Sequence, residues 1–233
     1  MLIIGDVHGE LELLKMLLDN VHDEDVFIVG DVINRGLKSL ETLQFVMQKG
    51  FKVTAGNHEL LMLNYLKTKA LGEKARWVND GGYDTYKAYQ LLTDKEQKDI
   101  LNYLTLLPLY YYLDEIDLLI SHSGINPQKL DNLQTMLKEH NAYDFTSIRR
   151  SFIYSAAVND FSTVFIVGHT PTFTIKEGYY KFLRKGNKIF IDTGAVFKGT
   201  LGALQITGNL LTAHYVNKKL RYWNENFGFL REV

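Results

Sequence analysis

The sequence predicts a mixed α/β fold built as one domain. Three observations predict it. Short β-type apolar runs recur, each followed by glycine or serine and then an acid, an amide or a histidine; amphipathic helical patterns separate the first of them; glycine-punctuated hairpin patterns fill the C-terminal part. With 233 residues, three prolines, no internal repeat and no Pro/Gly/Ser-rich linker, residues 1–233 are expected to form a single domain.

Taken in order, the run Leu2–Ile4 leads into Gly5, Asp6 and His8, with no room expected for a cleaved leader ahead of them. Leu14, Leu17, Leu18 and Val21 then fall at i, i+3, i+4 and i+7, which predicts a helix with one apolar face. Val26–Val29 precedes Asp31, and a second helix follows from Leu40, Leu43 and Met47. A third run, Phe51–Ala55, precedes Asn57 and His58, completing a βαβαβ pattern. Thr93 and Glu96 make a capping box ahead of Ile100, Leu101 and Leu104, and Leu106–Ile120 reads as a strand pair. The remaining runs are Leu118–Ile120 before His122, Val164–Val167 before His169 and Ile189–Ile191 before Asp192. Lys188–Thr212 reads as hairpins broken at Gly194, Gly199, Gly202 and Gly208.

Composition narrows the function. Hydrophobic residues are 46% and charged residues 23%, with 26 Lys+Arg against 27 Asp+Glu, so disorder and coiled coil are excluded. A net charge of −1 offers no broad attraction to nucleic acid or anionic lipid, and no apolar run is long enough to span a membrane. The absence of cysteine removes disulfides, thiolate metal sites and a Cys nucleophile. Neither a nucleic-acid nor a membrane partner is expected, and the cytoplasm is the expected location; the oligomeric state stays open.

In a sheet with parallel strands, the loops after the strand C-termini converge on one edge, where ligands bind. Here those loops carry Asp6, His8, Asp31, Asn57, His58, His122 and His169. Carboxylate, amide and imidazole donors in that number suffice for two divalent ions of the manganese, iron or zinc type. Two ions about 3.5–4 Å apart activate water and clamp a phosphoryl group. His22, His140 and His214 lie outside these loops and are expected to be structural.

GDVHG at 5–9, GDVINRG at 30–36, GNHE at 56–59, SHSG at 121–124 and GHTP at 168–171 resemble, in order, the signature blocks of the calcineurin-like metallophosphoesterases. Trp77 followed by Gly81, Gly82 and Thr85, and IDTGAVF at 191–197, are similar to the bacterial and bacteriophage branch that holds serine/threonine protein phosphatases and diadenosine tetraphosphatases. The resemblance leaves out residues 128–144 and the tail after Gly208. It implies two packed mixed β-sheets flanked by helices. It also implies that Asp6, His8 and His169 bind one metal, Asn57 and His122 the other, and Asp31 both. Manganese is the expected ion, and the implied nucleophile is a hydroxide bound to the metals. By the same resemblance His58 is the general acid, Arg35 a phosphate clamp and Arg149, rather than Arg150, a second clamp.

One position departs from the family's phosphatases. Where their second block has a later Asp that accepts a hydrogen bond from the general-acid histidine, this sequence has Asn34. An amide orients the ring without offsetting an imidazolium charge. The leading expectation is hydrolysis of phosphomonoesters in phosphoserine and phosphothreonine proteins. The alternative is cleavage of diadenosine tetraphosphate or a related phosphoanhydride, towards which Asn34 leans, and a weaker one is a non-catalytic regulatory protein. Tyr83, Tyr86, Tyr89 and Tyr110–Tyr112 are expected to pack the helical cover and a strand rather than to stack a nucleobase, and Lys218, Lys219 and Arg221 to face solvent.

Overall fold

In the first strand, β1 (Leu2–Ile4), successive side chains point to opposite faces of a sheet, and all three are fully buried. Leu2 and Ile4 join a core shared with helices, whereas Ile3 joins a second core made only of strand residues and their flanks. A sheet covered on both sides explains why the strand reads as a continuous apolar run rather than as an alternation.

The computed structural model describes residues 1–129, 137–138, 141–197 and 199–231. Its strands in chain order are β1, β2 (Val26–Ile28), β3 (Lys52–Val53), β4 (Tyr110–Leu113), β5 (Leu118–Ser121), β6 (Val164–Val167), β7 (Leu183–Lys185), β8 (Lys188–Phe190), β9 (Thr200–Thr207), β10 (Leu210–Asn217) and β11 (Tyr222–Phe229). One sheet runs β11-β10-β9-β1-β2-β3 and the other β4-β5-β6-β8-β7. Both are mixed: β1, β2 and β3 are mutually parallel, as are β5, β6 and β8, with antiparallel strands at the flanks.

Ile3, Phe27 and Val29 of the first sheet meet Leu118, Ile120, Val164, Ile166 and Ile189 of the second, so the sheets pack face to face. The outer face of the first sheet is covered by α1 (Leu11–Asn20), α2 (Ser39–Lys49), α3 (Asn57–Thr68) and α6 (Asp94–Leu106), through Leu14, Leu17, Leu43, Met62, Ile100 and Leu104. Two short helices, α4 (Leu71–Trp77) and α5 (Tyr83–Gln90), extend that cover. The expected Thr93–Glu96 capping box starts α6: the Glu96 amide donates to Thr93 Oγ1 at 3.3 Å and the Thr93 amide to Glu96 Oε2 at 2.8 Å. Phe145 and Phe152 cover the outer face of the second sheet against Leu119, Phe165 and Phe190.

The six expected strand runs are β1, β2, β3, β5, β6 and β8, and Gly208 turns the β9–β10 hairpin with φ +59°. The sequence did not announce β11, because Asn224, Glu225 and Asn226 interrupt its apolar residues on a partly exposed edge strand. Tyr86 packs edge-on against Trp77, Tyr110 stacks on Phe145 and Tyr111 meets Phe27, as expected of packing aromatics. His214 contacts Tyr222 and Gln205 inside the first sheet, and His22 is exposed; His140 and most of the middle of segment 128–144 lie outside the described residues.

Candidate metal centre

Six parallel strands end on the same side of the molecule, and their short exit loops are bent hard enough to need unusual backbone torsions. His8, Asp31, Asn34, Arg35 and His169 all have positive φ, at 48°, 49°, 69°, 69° and 65°. A left-handed torsion costs a non-glycine residue on the order of 1–2 kcal/mol, so each is held by the bonds around it. Two glycines make the approach possible. A Cβ on Gly56 would lie 2.2 Å from Asp31 Oδ1, and one on Gly168 would lie 2.0 Å from Asp6 Oδ1.

Glu59 supplies much of that restraint. Its buried carboxylate accepts the amides of Asp31 at 2.8 Å, Val32 at 2.9 Å, Ile33 at 3.3 Å and Gly56 at 3.0 Å. One side chain therefore ties the loop after β2 to the first turn of α3. Asp31 adds a second tie, accepting the His58 amide on Oδ1 at 3.1 Å, where the positive end of the helix favours a carboxylate.

The donors then converge in two sets. Ligand atoms of His8, Asp31 and His58 lie within 4.8 Å of one another, as do those of Asp31, His122 and His169, so Asp31 belongs to both. His8 Nδ1–H donates to the Ile33 carbonyl at 3.0 Å and His122 Nδ1–H to the Val29 carbonyl at 2.8 Å, which turns both Nε2 atoms towards Asp31 Oδ2 at 3.5 and 3.3 Å. Around His122 Nε2 also lie Asn57 Oδ1 at 3.2 Å and His169 Nδ1 at 3.1 Å. So many lone pairs crowded at one point suit a cation, and this donor set fits divalent metal ions. Asp6 reaches the cluster through the backbone, its two oxygens accepting the His169 amide at 3.1 and 3.0 Å. Asp192, from the sixth loop, instead caps the Gly194 amide at 2.8 Å.

Electrostatics follow from burial. Burial opposes a charge on His122, but the nearby carboxylates, Asp31 first and then Asp6 and Glu59, together overcome it and raise the imidazole to about 9. Burial likewise works against the Asp31 carboxylate, yet His122 and His58 hold it well below its usual range. With weaker help, His8 is pushed by burial down to about 4 and His58 to about 3. Both rings are neutral near pH 7.

His58 is oriented by a relay. The Trp77 indole N–H can only donate, and it does so to Asn34 Oδ1 at 3.0 Å. The Asn34 amide nitrogen therefore faces His58, donating to Nδ1 at 2.9 Å. That leaves the His58 proton on Nε2, a buried atom with no hydrogen-bond partner among the described residues. Asp80 Oδ2 stands 3.9 Å away, and Asp80 Oδ1 lies 3.8 Å from Arg35.

The arginines frame the cluster. Arg35 Nη1 donates to His8 Nε2 at 3.0 Å, and Arg149 Nη1 to the His169 carbonyl at 2.9 Å and Thr170 Oγ1 at 3.3 Å. Both line one cavity with His169, while Arg150 lies over the Tyr154 ring at 6.0 Å. The loops thus bring together the ten residues read from sequence. Glu59, Asp80 and the bonding role of Trp77 were missed, although Glu59 stands inside the GNHE block and Trp77 inside another.

Comparison with known proteins agrees with this geometry. The chain is 35% identical over 144 residues to a symmetrical bis(5'-nucleosyl)-tetraphosphatase of Marinomonas sp. (strain MWYL1), covering 59% of this chain and 49% of the relative. It is 33% identical over 142 residues to the enzyme of that name from Shewanella sediminis (strain HAW-EB3), covering 58% and 47%. The chain thus spans about half the length of these curated relatives. Its fold is similar to that of a protein serine/threonine phosphatase from Saccharomyces cerevisiae, with a TM-score of 0.56 at 16% identity over 100% of this chain and 80% of the other. The model of the calcineurin-like phosphoesterase family matches residues 1–197, and the chain belongs to that family.

Proposed function

We propose that this chain is a metal-dependent phosphoanhydride hydrolase acting on dinucleoside polyphosphates, with residues 1–233 as one domain. The observation that carries the reading is the Trp77–Asn34–His58 relay, which presents a neutral imidazole N–H to the reacting groups. A neutral imidazole donates a hydrogen bond but is a weak acid. That is adequate for a departing phosphate, whose second pKa is about 6, and poor for the strongly basic alkoxide released from phosphoserine. The tetraphosphatase names of the relatives support the same choice. Cleavage of phosphoserine and phosphothreonine, the leading expectation from sequence, has less support.

In this reading Asp6 and His8 would hold one ion, Asn57, His122 and His169 the second, and Asp31 both; the closeness of His169 Nδ1 to His122 Nε2, 3.1 Å, moves His169 from the set that the sequence resemblance implied. Such ions, manganese by preference and iron or zinc otherwise, supply Lewis-acid charge and an activated water. The protein's own groups do the rest. Arg35 and Arg149 grip phosphate oxygens through their planar forks. His58 Nε2–H bonds the leaving oxygen while Asn34 and Trp77 fix its tautomer. The Glu59 carboxylate keeps Asp31 in its left-handed torsion. A donor set this complete gives the non-catalytic reading little to rest on.

The test compares kcat/KM with Mn²⁺ on a phosphoserine peptide and on diadenosine tetraphosphate, since the ratio measures differential transition-state binding. A preference for the nucleotide is expected; a preference for the peptide would overturn the reading.

A further inference from the structure

Of the tyrosines singled out in the sequence, Tyr86 packs on Tyr65 and Trp77, Tyr110 on Phe145 and Tyr111 on Phe27, while Tyr83, half exposed, lies under Lys87 Nζ at 4.3 Å; none of them lines the cavity beside the donor cluster. Other exposed aromatic rings stand there. A cavity of 550 Å³ beside the donor cluster is lined on one side by Arg35, Arg149 and His169 and on the other by Phe173, Tyr180 and Phe197. The rings are mutually braced: Phe173 and Tyr180 have centroids 5.1 Å apart and tilted by 31°, and Phe173 meets Phe197 edge-on at 5.8 Å. Phe197 is 49% exposed and Tyr180 37%, so ring surface is left open to the cavity and to solvent.

The fold holds this wall at a fixed place relative to the metals. Phe173 belongs to the short helix Thr172–Ile175, three residues after the donor His169. Gly194 has φ +73°, and a Cβ there would lie 2.6 Å from the Phe173 ring, so only glycine admits the ring at this closeness. The Gly194 turn is itself capped by Asp192, at the end of the strand run that borders the site. Arg35 bridges the two halves of the cavity, its guanidinium 5.7 Å from the Phe197 centroid while it donates to His8. A site that juxtaposes phosphate-gripping forks with half-open aromatic faces recognises a group that is anionic at one end and planar at the other.

We propose that Phe173, Tyr180 and Phe197 form the nucleobase-stacking arm of the substrate site, taking the base of a nucleoside polyphosphate whose phosphates lie across Arg35, Arg149 and the metal ions. The substrate class rests on the anhydride reading above; the geometry of the arm does not.

The experiment uses the full chain loaded with Mn²⁺ and the variants Phe197→Leu, Tyr180→Leu and Phe197→Trp. Leucine keeps apolar bulk and removes the π face. Stacking on one aromatic ring is worth about tenfold in binding. On that basis kcat/KM for diadenosine tetraphosphate should fall about 10-fold more than for inorganic tripolyphosphate in each leucine variant, chiefly through KM, and Phe197→Trp should recover it. Equal losses on the two substrates, or no selective loss on the nucleotide, would overturn the arm while leaving the anhydride reading in place. If the wild-type chain cleaves neither compound, that reading fails, and calorimetry with ADP and pyrophosphate judges the arm alone. Tighter binding of ADP that disappears in Phe197→Leu supports it, and no preference for ADP in the wild type overturns it.

Discussion

Trp77 and Asn34, 43 positions apart in sequence, are joined by one hydrogen bond of 3.0 Å that decides where the proton of a third residue sits. The indole fixes the amide, and the amide fixes the imidazole of His58. Asn34→Asp reverses the polarity of the second bond, since a carboxylate accepts from Nδ1–H and favours the doubly protonated ring. The His58 pKa should then rise from its depressed value near 3. Turnover of an alkyl phosphomonoester should gain relative to the anhydride, with a new basic limb in the pH–rate profile. Superimposable profiles for the two proteins would remove the relay from the mechanism.

Replacing Trp77 by Phe keeps most of the packing against Tyr65 and Tyr86 but leaves Asn34 Oδ1 without its donor. An unsatisfied buried acceptor costs about 1–3 kcal/mol. The amide becomes free to rotate, so kcat should fall about tenfold with KM little changed, and Asn34→Asp in the same background should partly restore it. A loss confined to KM would contradict the assignment.

Metal binding should release a proton. In the metal-free protein His122 is raised to about 9, chiefly by Asp31 working against burial, so near pH 7.5 its Nε2 carries a proton that an ion must displace. Calorimetric titration with Mn²⁺ in buffers of different ionisation enthalpy should report net proton release; buffer-independent heats would contradict this. The linkage sign follows from the raised folded value. Stability from this proton is fully present below the unfolded pKa of about 6.5 and is lost as pH rises through about 9. The Tm of the metal-free protein should accordingly decline across that window, and excess Mn²⁺ should flatten the decline.

Arg149 and Arg150 are neighbours with different surroundings, and their alanine variants should separate. Arg149 lines the cavity with Arg35 and His169, while Arg150 lies over Tyr154. A charge-assisted hydrogen bond is worth about 1.5–3 kcal/mol, so Arg149→Ala should weaken inhibition by inorganic phosphate by about 10-fold or more. Arg150→Ala should leave it within about twofold. The reverse order would transfer the clamp to Arg150.

Glu59→Gln tests the scaffold rather than the chemistry. The carboxylate takes four backbone amides, and an amide side chain turns one N–H towards donors. Destabilisation of about 1–3 kcal/mol is expected, read as a lower Tm in the metal-free protein, together with weaker Mn²⁺ affinity. Unchanged melting and unchanged affinity would show that the Asp31 loop keeps its torsion unaided.

Much of the site was legible because parallel strands put their exit loops on one edge, so a polar residue two to four positions after an apolar run is already a statement about position. Asp6, His8, Asp31, Asn57, His122 and His169 were all singled out that way. Residues whose work is to hold others left no such trace: Glu59 faces inward from a helix, and Trp77 reads as core until its single N–H is given a partner. The aromatic arm was equally silent, since Phe173, Tyr180 and Phe197 come from three segments with no shared spacing. The strand β11 escaped for the opposite reason, its polar residues belonging to an edge that needs no continuous apolar run.

Asp31 and His8 leave from the first sheet, His122 and His169 from the second, and the layer between the sheets is mostly aliphatic and aromatic, tied across by a few hydrogen bonds such as that from the Phe182 amide to Tyr215 Oη at 3.1 Å. Ions gripped from both halves would act as a rivet through that layer. Amides deep in the sandwich, remote from any phosphate, should therefore exchange with solvent more slowly once the rivet is in, and a chelator should loosen the whole body of the protein rather than its rim alone.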